Sequence, residues 1–136
     1  METADIFEYI KEFKDDNIFA ICELLRRNVS IDDIFEITRI TRYFLQAFAN
    51  IVAMEEKLKA SVGNLEVLAE AKKLGFCDKI IAKLWGKTEI EIFNIRKENS
   101  MFPVYRMVDT CHTGAYIPYF YSSYTGENTS ILTDKE

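Results

Sequence analysis

The chain has 136 residues, of which 49% are hydrophobic and 29% are charged, and its formal net charge is −5. A chain of this length and apolar content buries a core of its own, which excludes an intrinsically disordered polypeptide. The negative charge disfavours nucleic acid or an anionic membrane as a partner. No run approaches the roughly 20 apolar residues that a membrane-spanning helix needs.

The three cysteines are Cys22, Cys77 and Cys111, which are far apart and form no CxxC pair. An odd number of dispersed thiols favours reduced cysteines over a disulfide framework or a zinc site. The N-terminus is acidic and lacks the apolar run of a signal peptide. We therefore predict a cytoplasmic protein.

Periodic apolar residues predict four helices in the first half. They are a helix over residues 3–13, one over 18–27, a short third helix that begins after Ser30, and the longest over 41–61. Thr3, Ser30 and Thr41 are candidate N-caps, and Asn28 is a candidate left-handed terminator. The predicted core-facing residues are Ile6, Phe7, Ile10, Ile18, Ile21, Cys22, Leu25, Ile31, Ile34, Phe35, Phe44, Leu45, Phe48, Ile51, Val52 and Leu58.

The second half repeats this order of signals and predicts helices over residues 64–75, 78–85 and 89–98. The apolar residues chosen for its core are Leu65, Leu68, Ala69, Ile92, Phe93 and Ile95. An ungapped shift of 47 residues places Asn17 on Asn64 and Thr41 on Thr88, and core positions on core positions. Chance alignment of two amphipathic halves is the alternative. We predict an all-α fold of about seven short helices arranged as two three-helix units.

The helical pattern ends at Asn99, and Pro103 favours an extended backbone at the residue before it. Residues 104–108 are predicted to form a short strand or an extended packed segment. The tail is rich in aromatic residues, namely Tyr105, Tyr116, Tyr119, Phe120, Tyr121 and Tyr124. We expect this extended C-terminal segment to pack over the helices, covering their core or forming a surface for a partner.

A catalytic pair of Cys111 and His112, helped by Asp109, is the first candidate active site. Adjacent residues of an extended chain point to opposite sides, whereas a nucleophile needs its base within hydrogen-bond reach, so a structural Cys111 is favoured. The single imidazole and the scattered thiols disfavour a metal site, and the glycines are too far apart for a phosphate loop. We predict no catalytic, cofactor-binding or metal-binding residue.

Two segments, 30–48 and 77–98, have the shape of a helix-turn-helix, and a stand-alone nucleic-acid-binding regulator is the alternative function. The would-be reading helix from Thr88 to Glu98 carries three glutamates against Arg96 and Lys97, a net charge of −1. A DNA reader needs cations to neutralise phosphate, so a structural helix pair is favoured. A small thiol enzyme using Cys111 is a third reading.

The tail contains Pro103-Val104-Tyr105-Arg106-Met107-Val108-Asp109-Thr110-Cys111 and then Pro118-Tyr119-Phe120-Tyr121-Ser122-Ser123-Tyr124. This closely resembles the large chain of carbamoyl-phosphate synthase, which here reads Pro-Val-Tyr-Lys-x-Val-Asp-Thr-Cys and then Tyr-Ser-Thr-Tyr. The segments Lys72-Lys73-Leu74-Gly75-Phe76-Cys77-Asp78 and Tyr43-Phe44-Leu45 are similar to other family patterns. The resemblance covers residues 18–124, while residues 1–16 match weakly.

The resemblance implies the helical middle domain, called the oligomerisation domain, that joins two ATP-grasp synthetase halves. Residues 1–124 would form this scaffold, and residues 125–136 a linker towards a missing second half. The parent would use ATP and magnesium, bound in the synthetase halves, to make carbamoyl phosphate from bicarbonate and glutamine-derived ammonia for arginine and pyrimidine synthesis. Its implied partners are the flanking synthetase domains, a glutaminase small subunit and other large chains.

The implied role places domain-interface residues in the tail. The candidates are Tyr105, Asp109, Cys111, Tyr119, Tyr121 and Tyr124, because tyrosine combines apolar area with a polar edge. One departure stands out: the family has small residues and then Glu-Phe after the cysteine, whereas this chain has His112-Thr113-Gly114-Ala115-Tyr116. A contact made by that acidic residue in relatives is therefore not carried over.

Overall fold

A computed structural model describes residues 2–12, 14–108 and 119–130. Within them, helices α1 to α7 span Thr3–Ile10, Asn17–Arg26, Ile31–Thr38, Arg42–Ala60, Leu65–Lys73, Asp78–Trp85 and Glu89–Glu98. Strands β1 (Val104–Met107) and β2 (Phe120–Ser123) follow. The all-α prediction is confirmed, with a small sheet as the addition. The chain divides into two compact units, Met1–Ala60 and Ser61–Glu136.

Side-chain caps begin three of the helices where the sequence predicts them. Ser30 Oγ accepts from the Asp33 N–H at 3.1 Å, and Asn64 Oδ1 accepts from the Glu66 N–H at 2.9 Å. Thr88 and Glu91 form a reciprocal capping box at α7. Each cap satisfies backbone donors that the first helical turn leaves open.

Two predictions for helix α1, its N-cap and its end, are wrong. Thr3 is the first helical residue rather than the cap, because Glu2 precedes the helix and its N–H donates to Asp5 Oδ2 at 2.9 Å. The helix ends at Ile10, before the predicted end at residue 13, which lies outside the described residues. The acidic residues at this N-terminus thus supply the local hydrogen bond that was assigned to a hydroxyl.

The first unit surrounds an aliphatic core contributed by α1, α2, α3 and α4. Its buried residues are Ile6, Ile10, Ile21, Leu24, Ile34 and Leu45. Three predicted core residues of this unit are wrong, since Ile18 is 41% exposed, Phe44 is 56% exposed and Ile51 is 45% exposed. In α2 the buried face runs instead through Asn17, Ile21 and Leu24, at i, i+4 and i+7.

Helix α4 differs in the same way, because Ile51 is 45% exposed whereas Met54 is buried. The guanidinium of Arg26 on α2 donates to Glu55 Oε2 on α4 from Nε at 3.0 Å and from Nη2 at 2.8 Å. This ion pair, in which two guanidinium donors share one carboxylate oxygen, fastens the two helices at the edge of the apolar core.

Helices α2, α3 and α4 correspond to α5, α6 and α7 at the predicted shift of 47 residues. The shift carries both ends of α3 onto those of α6, and it carries the start of α4 onto the start of α7. The main-chain bond from Val29 to Leu24 recurs as the bond from Phe76 to Ala71, at 3.1 and 3.0 Å. The repeat is therefore present in helix bounds and in the hydrogen bonds of the turns.

Left-handed residues also recur at this shift. Asn28 (φ 60°) corresponds to Gly75 (φ 90°), and Arg39 (φ 57°) corresponds to Gly86 (φ 64°). Asn28 thus terminates its helix as predicted. Arg39 holds the same conformation without the conformational freedom of glycine.

The second unit buries apolar side chains of α5, α6 and α7. They are Val67, Leu68, Ala71, Ile81, Ala82, Trp85 and Ile92. The prediction that Leu65 and Phe93 belong to this core is wrong, since they are 38% and 47% exposed. The polar residues Lys72 and Arg96 are buried instead, on the core-facing sides of α5 and α7.

Strands β1 and β2 pair antiparallel, with Tyr105 opposite Ser122 and Met107 opposite Phe120. The strand alternative for residues 104–108 is therefore correct over Val104–Met107. On the other side of β1, Thr129 donates its N–H to the Tyr105 carbonyl and its Oγ1 accepts from the Met107 N–H, at 2.9 and 2.8 Å. The first part of the predicted linker thus bonds to the sheet.

Candidate functional site

A buried polar cluster, here called the Asp78 cluster, joins three helices of the second unit to the strand segment. It consists of Lys72 at the end of α5, Asp78 at the start of α6, Arg96 on α7 and Tyr124 after β2. Lys72 and Arg96 are both 7% exposed. Ions at this depth need partners with good geometry, which this cluster supplies.

The Asp78 carboxylate receives hydrogen bonds from both cations. Arg96 Nε lies 3.0 Å from Asp78 Oδ1 and 3.1 Å from Oδ2, and Nη2 also donates to Oδ2. Lys72 Nζ lies 2.9 Å from Oδ1 and donates to the Phe76 carbonyl at 2.8 Å. The two ion pairs fix α5, the α5–α6 turn, α6 and α7 in one arrangement.

Burial alone raises the pKa of the Asp78 carboxyl, but the hydrogen bonds from Arg96 and then Lys72 outweigh it, so the pKa lies below its ordinary value. For Arg96, burial favours the neutral form, and the bond to Asp78 more than offsets this, so its pKa is raised. Asp78 and Arg96 therefore both stay charged across the physiological pH range.

Arg96 also connects the helices to the tail. Its Nη1 donates to the Met101 carbonyl at 3.0 Å and to the Tyr124 hydroxyl at 2.9 Å. The ring of Tyr124 lies 4.9 Å from Lys72 Nζ, within range of a cation–π contact. The chain leaving α7 and the chain leaving β2 are thus held by one guanidinium.

The aromatic side chains of the sheet face outwards, in contrast to Tyr124. Tyr105 is 51% exposed, Tyr119 71% and Tyr121 46%, and Phe120 is 38% exposed. The predicted packing of the aromatic segment over the helices is therefore not confirmed, apart from Tyr124. Exposed aromatic area of this kind is typical of a surface that contacts a partner.

The sequence-based site residues divide into two groups. Tyr105, Tyr119, Tyr121 and Tyr124 belong to or flank the sheet, whereas Asp109 and Cys111 lie outside the described residues. Their role at an interface remains a prediction. Lys72 and Arg96 were missed, although Lys72 follows the core residue Leu68 by four positions and Arg96 follows Ile92 by four. A long cation at a core-facing helical position is a signal for such a cluster.

The geometry disfavours the helix-turn-helix reading. Arg96 is one of two cations on the would-be reading helix, and its donors are taken by Asp78, Met101 and Tyr124. Three glutamates, at positions 89, 91 and 98, share that helix. A phosphate backbone would meet mainly acidic side chains there.

Metal and thiol chemistry find little support in the part of the chain that the structure describes. No group of three or more His, Cys, Asp or Glu residues there could hold a metal ion. Burial raises the pKa of the Cys22 thiol, which makes it a poorer nucleophile at neutral pH. Among the helices described, none is long and apolar enough to cross a membrane.

Comparison with known protein families shows a match over most of the chain. Residues 1–100 match the family model described as carbamoyl-phosphate synthetase large chain, oligomerisation domain. The match includes residues 1–16, where the resemblance read from the sequence is weak. It ends between α7 and β1, so the three matched residues of the Asp78 cluster are Lys72, Asp78 and Arg96.

Proposed function

The chain belongs to the oligomerisation-domain family of the carbamoyl-phosphate synthetase large chain, and we propose that it works as a non-catalytic scaffold within such a chain. In this role the helices of the second unit hold the sheet in place through the Asp78 cluster. The β1–β2 sheet is the surface that contacts the flanking synthetase domains. The family match over residues 1–100 is the observation that carries the proposal.

Two features support the sheet as the contact surface. Its aromatic side chains are exposed, and aromatic residues are enriched where proteins meet. The Asp78 cluster holds Tyr124, at the end of the sheet, against buried helical residues. A surface anchored in this way loses little conformational freedom on contact, which favours binding.

The parent enzyme in this proposal makes carbamoyl phosphate from bicarbonate, ATP and glutamine-derived ammonia, for arginine and pyrimidine synthesis in the cytoplasm. ATP and magnesium belong to its synthetase halves, and the glutaminase small subunit supplies ammonia. The scaffold holds the two halves in a fixed relation and also links large chains to one another. None of these steps uses a side chain of this domain as a catalytic group.

Two assays on the 136-residue chain test the scaffold role against its competitors. The scaffold predicts no hydrolysis of ATP with magnesium above a buffer control and no retention of duplex DNA at low salt. ATP turnover that co-purifies with the chain and disappears in an Asp78→Asn variant would contradict a non-catalytic role. Saturable DNA retention that weakens with salt would point to the nucleic-acid reading.

A further inference from the structure

A cleft of about 330 Å³ opens beside the Asp78 cluster, between the α5–α6 turn and β2. Its lining residues are Lys72, Lys73, Gly75, Phe76, Cys77, Ser122, Ser123 and Tyr124. Two of these are lysines and none is acidic. The volume lies at the lower end of the range for small-molecule sites.

The charges at the cleft do not balance. Lys72 and Arg96 share the single Asp78 carboxylate, so the buried cluster keeps one positive charge. Lys73 lines the same cleft, is exposed, and has no ion pair among the described residues. Together they give the cleft two positive charges with no carboxylate on its wall.

Comparison of the two repeats shows that Lys73 lacks the acidic partner of its counterpart. Its counterpart in the first unit is Arg26, which forms an ion pair with Glu55 at 2.8 Å. The residue corresponding to Glu55 at the shift of 47 is Phe102, which cannot accept a hydrogen bond at its side chain. The acceptor present in the first unit is thus absent at the corresponding position of the second.

We propose that this cleft binds a tetrahedral oxyanion, either inorganic phosphate or the phosphate group of a small monoester. Two net positive charges match a phosphate dianion, and lysine ammonium groups are common phosphate binders. The hydroxyl of Ser122 adds a hydrogen-bonding group on the β2 side, whereas that of Ser123 is already bonded to Thr125. Because Lys72 and Lys73 lie on α5 and the serines lie on β2, the bound anion tightens the sheet against the helices.

Calorimetric titration of the 136-residue chain with inorganic phosphate, at constant ionic strength set with sodium chloride, tests the site. We expect saturable binding that Lys73→Gln weakens by about two- to fivefold, the range for one exposed ion contact. Lys83→Gln is the matched control, since Lys83 is exposed and does not line the cleft. It leaves the affinity unchanged.

Further titrations distinguish a phosphate monoester from free phosphate as the ligand, and they define the results that would overturn the proposal. Tighter binding of O-phosphoserine than of inorganic phosphate assigns the site to a monoester, and the reverse order assigns it to the free anion. The proposal is overturned if phosphate does not bind saturably, if acetate binds equally well, or if Lys83→Gln weakens binding as much as Lys73→Gln. These results leave the scaffold role untouched, because that role is tested by assembly.

Discussion

Asp78 is the residue on which the second unit depends most, because one carboxylate neutralises part of the charge of two buried cations. A buried ion pair adds little compared with apolar packing, but removing one partner leaves an uncompensated charge at high cost. The three charged side chains come from three different helices. Losing the carboxylate therefore affects the packing of α5, α6 and α7 together.

Replacing Asp78 with asparagine is expected to lower the free energy of unfolding by about 3–5 kcal/mol, the usual cost of breaking a buried pair. Thermal and urea denaturation measure the change. Asp32→Asn is the control, because Asp32 pairs with Arg42 at a site where both side chains are more than half exposed. That pair contributes about 1 kcal/mol or less. Equal losses for the two variants would contradict a buried cluster.

The Asp78 cluster also predicts that its contribution to stability is lost at low pH. The folded-state pKa of Asp78 lies below its ordinary value of 3.8, so its stabilising effect is complete above that value and is lost as the pH falls through the folded pKa. The difference in unfolding free energy between wild type and Asp78→Asn should be full at neutral pH and should shrink at pH values below 3.8. Urea titrations at several pH values check this. A constant difference would be the opposite result.

At the scale of single residues, the sequence predicted the caps Ser30, Asn64 and Thr88 and most aliphatic core positions. It could do so because hydroxyl, amide and branched aliphatic side chains have strong local preferences. It could not predict that Lys72 and Arg96 are buried. Their burial depends on partners that are distant in sequence: Asp78 lies 6 positions from Lys72, and Tyr124 lies 28 positions from Arg96. Helical periodicity carries no information on such partners.

Among the elements, the turn after α3 and the turn after α6 are equivalent in the repeat but differ in chemistry. Arg39 adopts the left-handed conformation that Gly86 adopts in the second unit. This conformation costs a residue with a Cβ about 1–2 kcal/mol. A Cβ added at Gly86 meets nothing within 4 Å, so the difference is one of backbone preference.

A reciprocal exchange tests this equivalence. We expect Arg39→Gly to raise the free energy of unfolding by about 0.5–1 kcal/mol and Gly86→Arg to lower it by about 1–2 kcal/mol. Arg39 loses an exposed pair with Glu36 and a cation–π contact with Phe35 at 5.6 Å, and each contributes little at an exposed site. Chemical denaturation gives both values. Changes of the same sign in the two variants would show that the turns are not equivalent.

The attachment of the sheet to the helices is tested by Tyr124→Phe, which removes the hydroxyl and keeps the ring. Loss of a hydrogen bond to a charged group lowers stability by about 1.5–3 kcal/mol. The amides of β1 and β2 should exchange faster with solvent, while those of α1 to α4 keep their protection. Tyr121→Phe is the control in the same sheet, because its side chain is 46% exposed. Unchanged exchange in Tyr124→Phe would contradict an anchoring role.

At the scale of the whole molecule, the sequence predicted the all-helical class and the repeat, since both follow from periodicity and from caps at a fixed spacing. The tail was harder to predict. The pattern around Val104–Met107 allowed a strand but could not name Phe120–Ser123 as its partner. Aromatic residues in a tail also fit two opposite outcomes, a cover for the core or an exposed contact surface. Their exposure favours the second outcome for Tyr105 and Tyr121.

The central claim is that the exposed aromatic residues of the sheet bind the flanking synthetase halves. The most direct test is sedimentation velocity of the 136-residue chain mixed with separately expressed synthetase halves, compared with a Tyr105→Ser, Tyr121→Ser double variant. Circular dichroism first establishes that the variant keeps its helices. We predict that the wild-type chain co-sediments with at least one half and that the variant does not. Co-sedimentation of both chains to the same extent, or of neither, would contradict the claim.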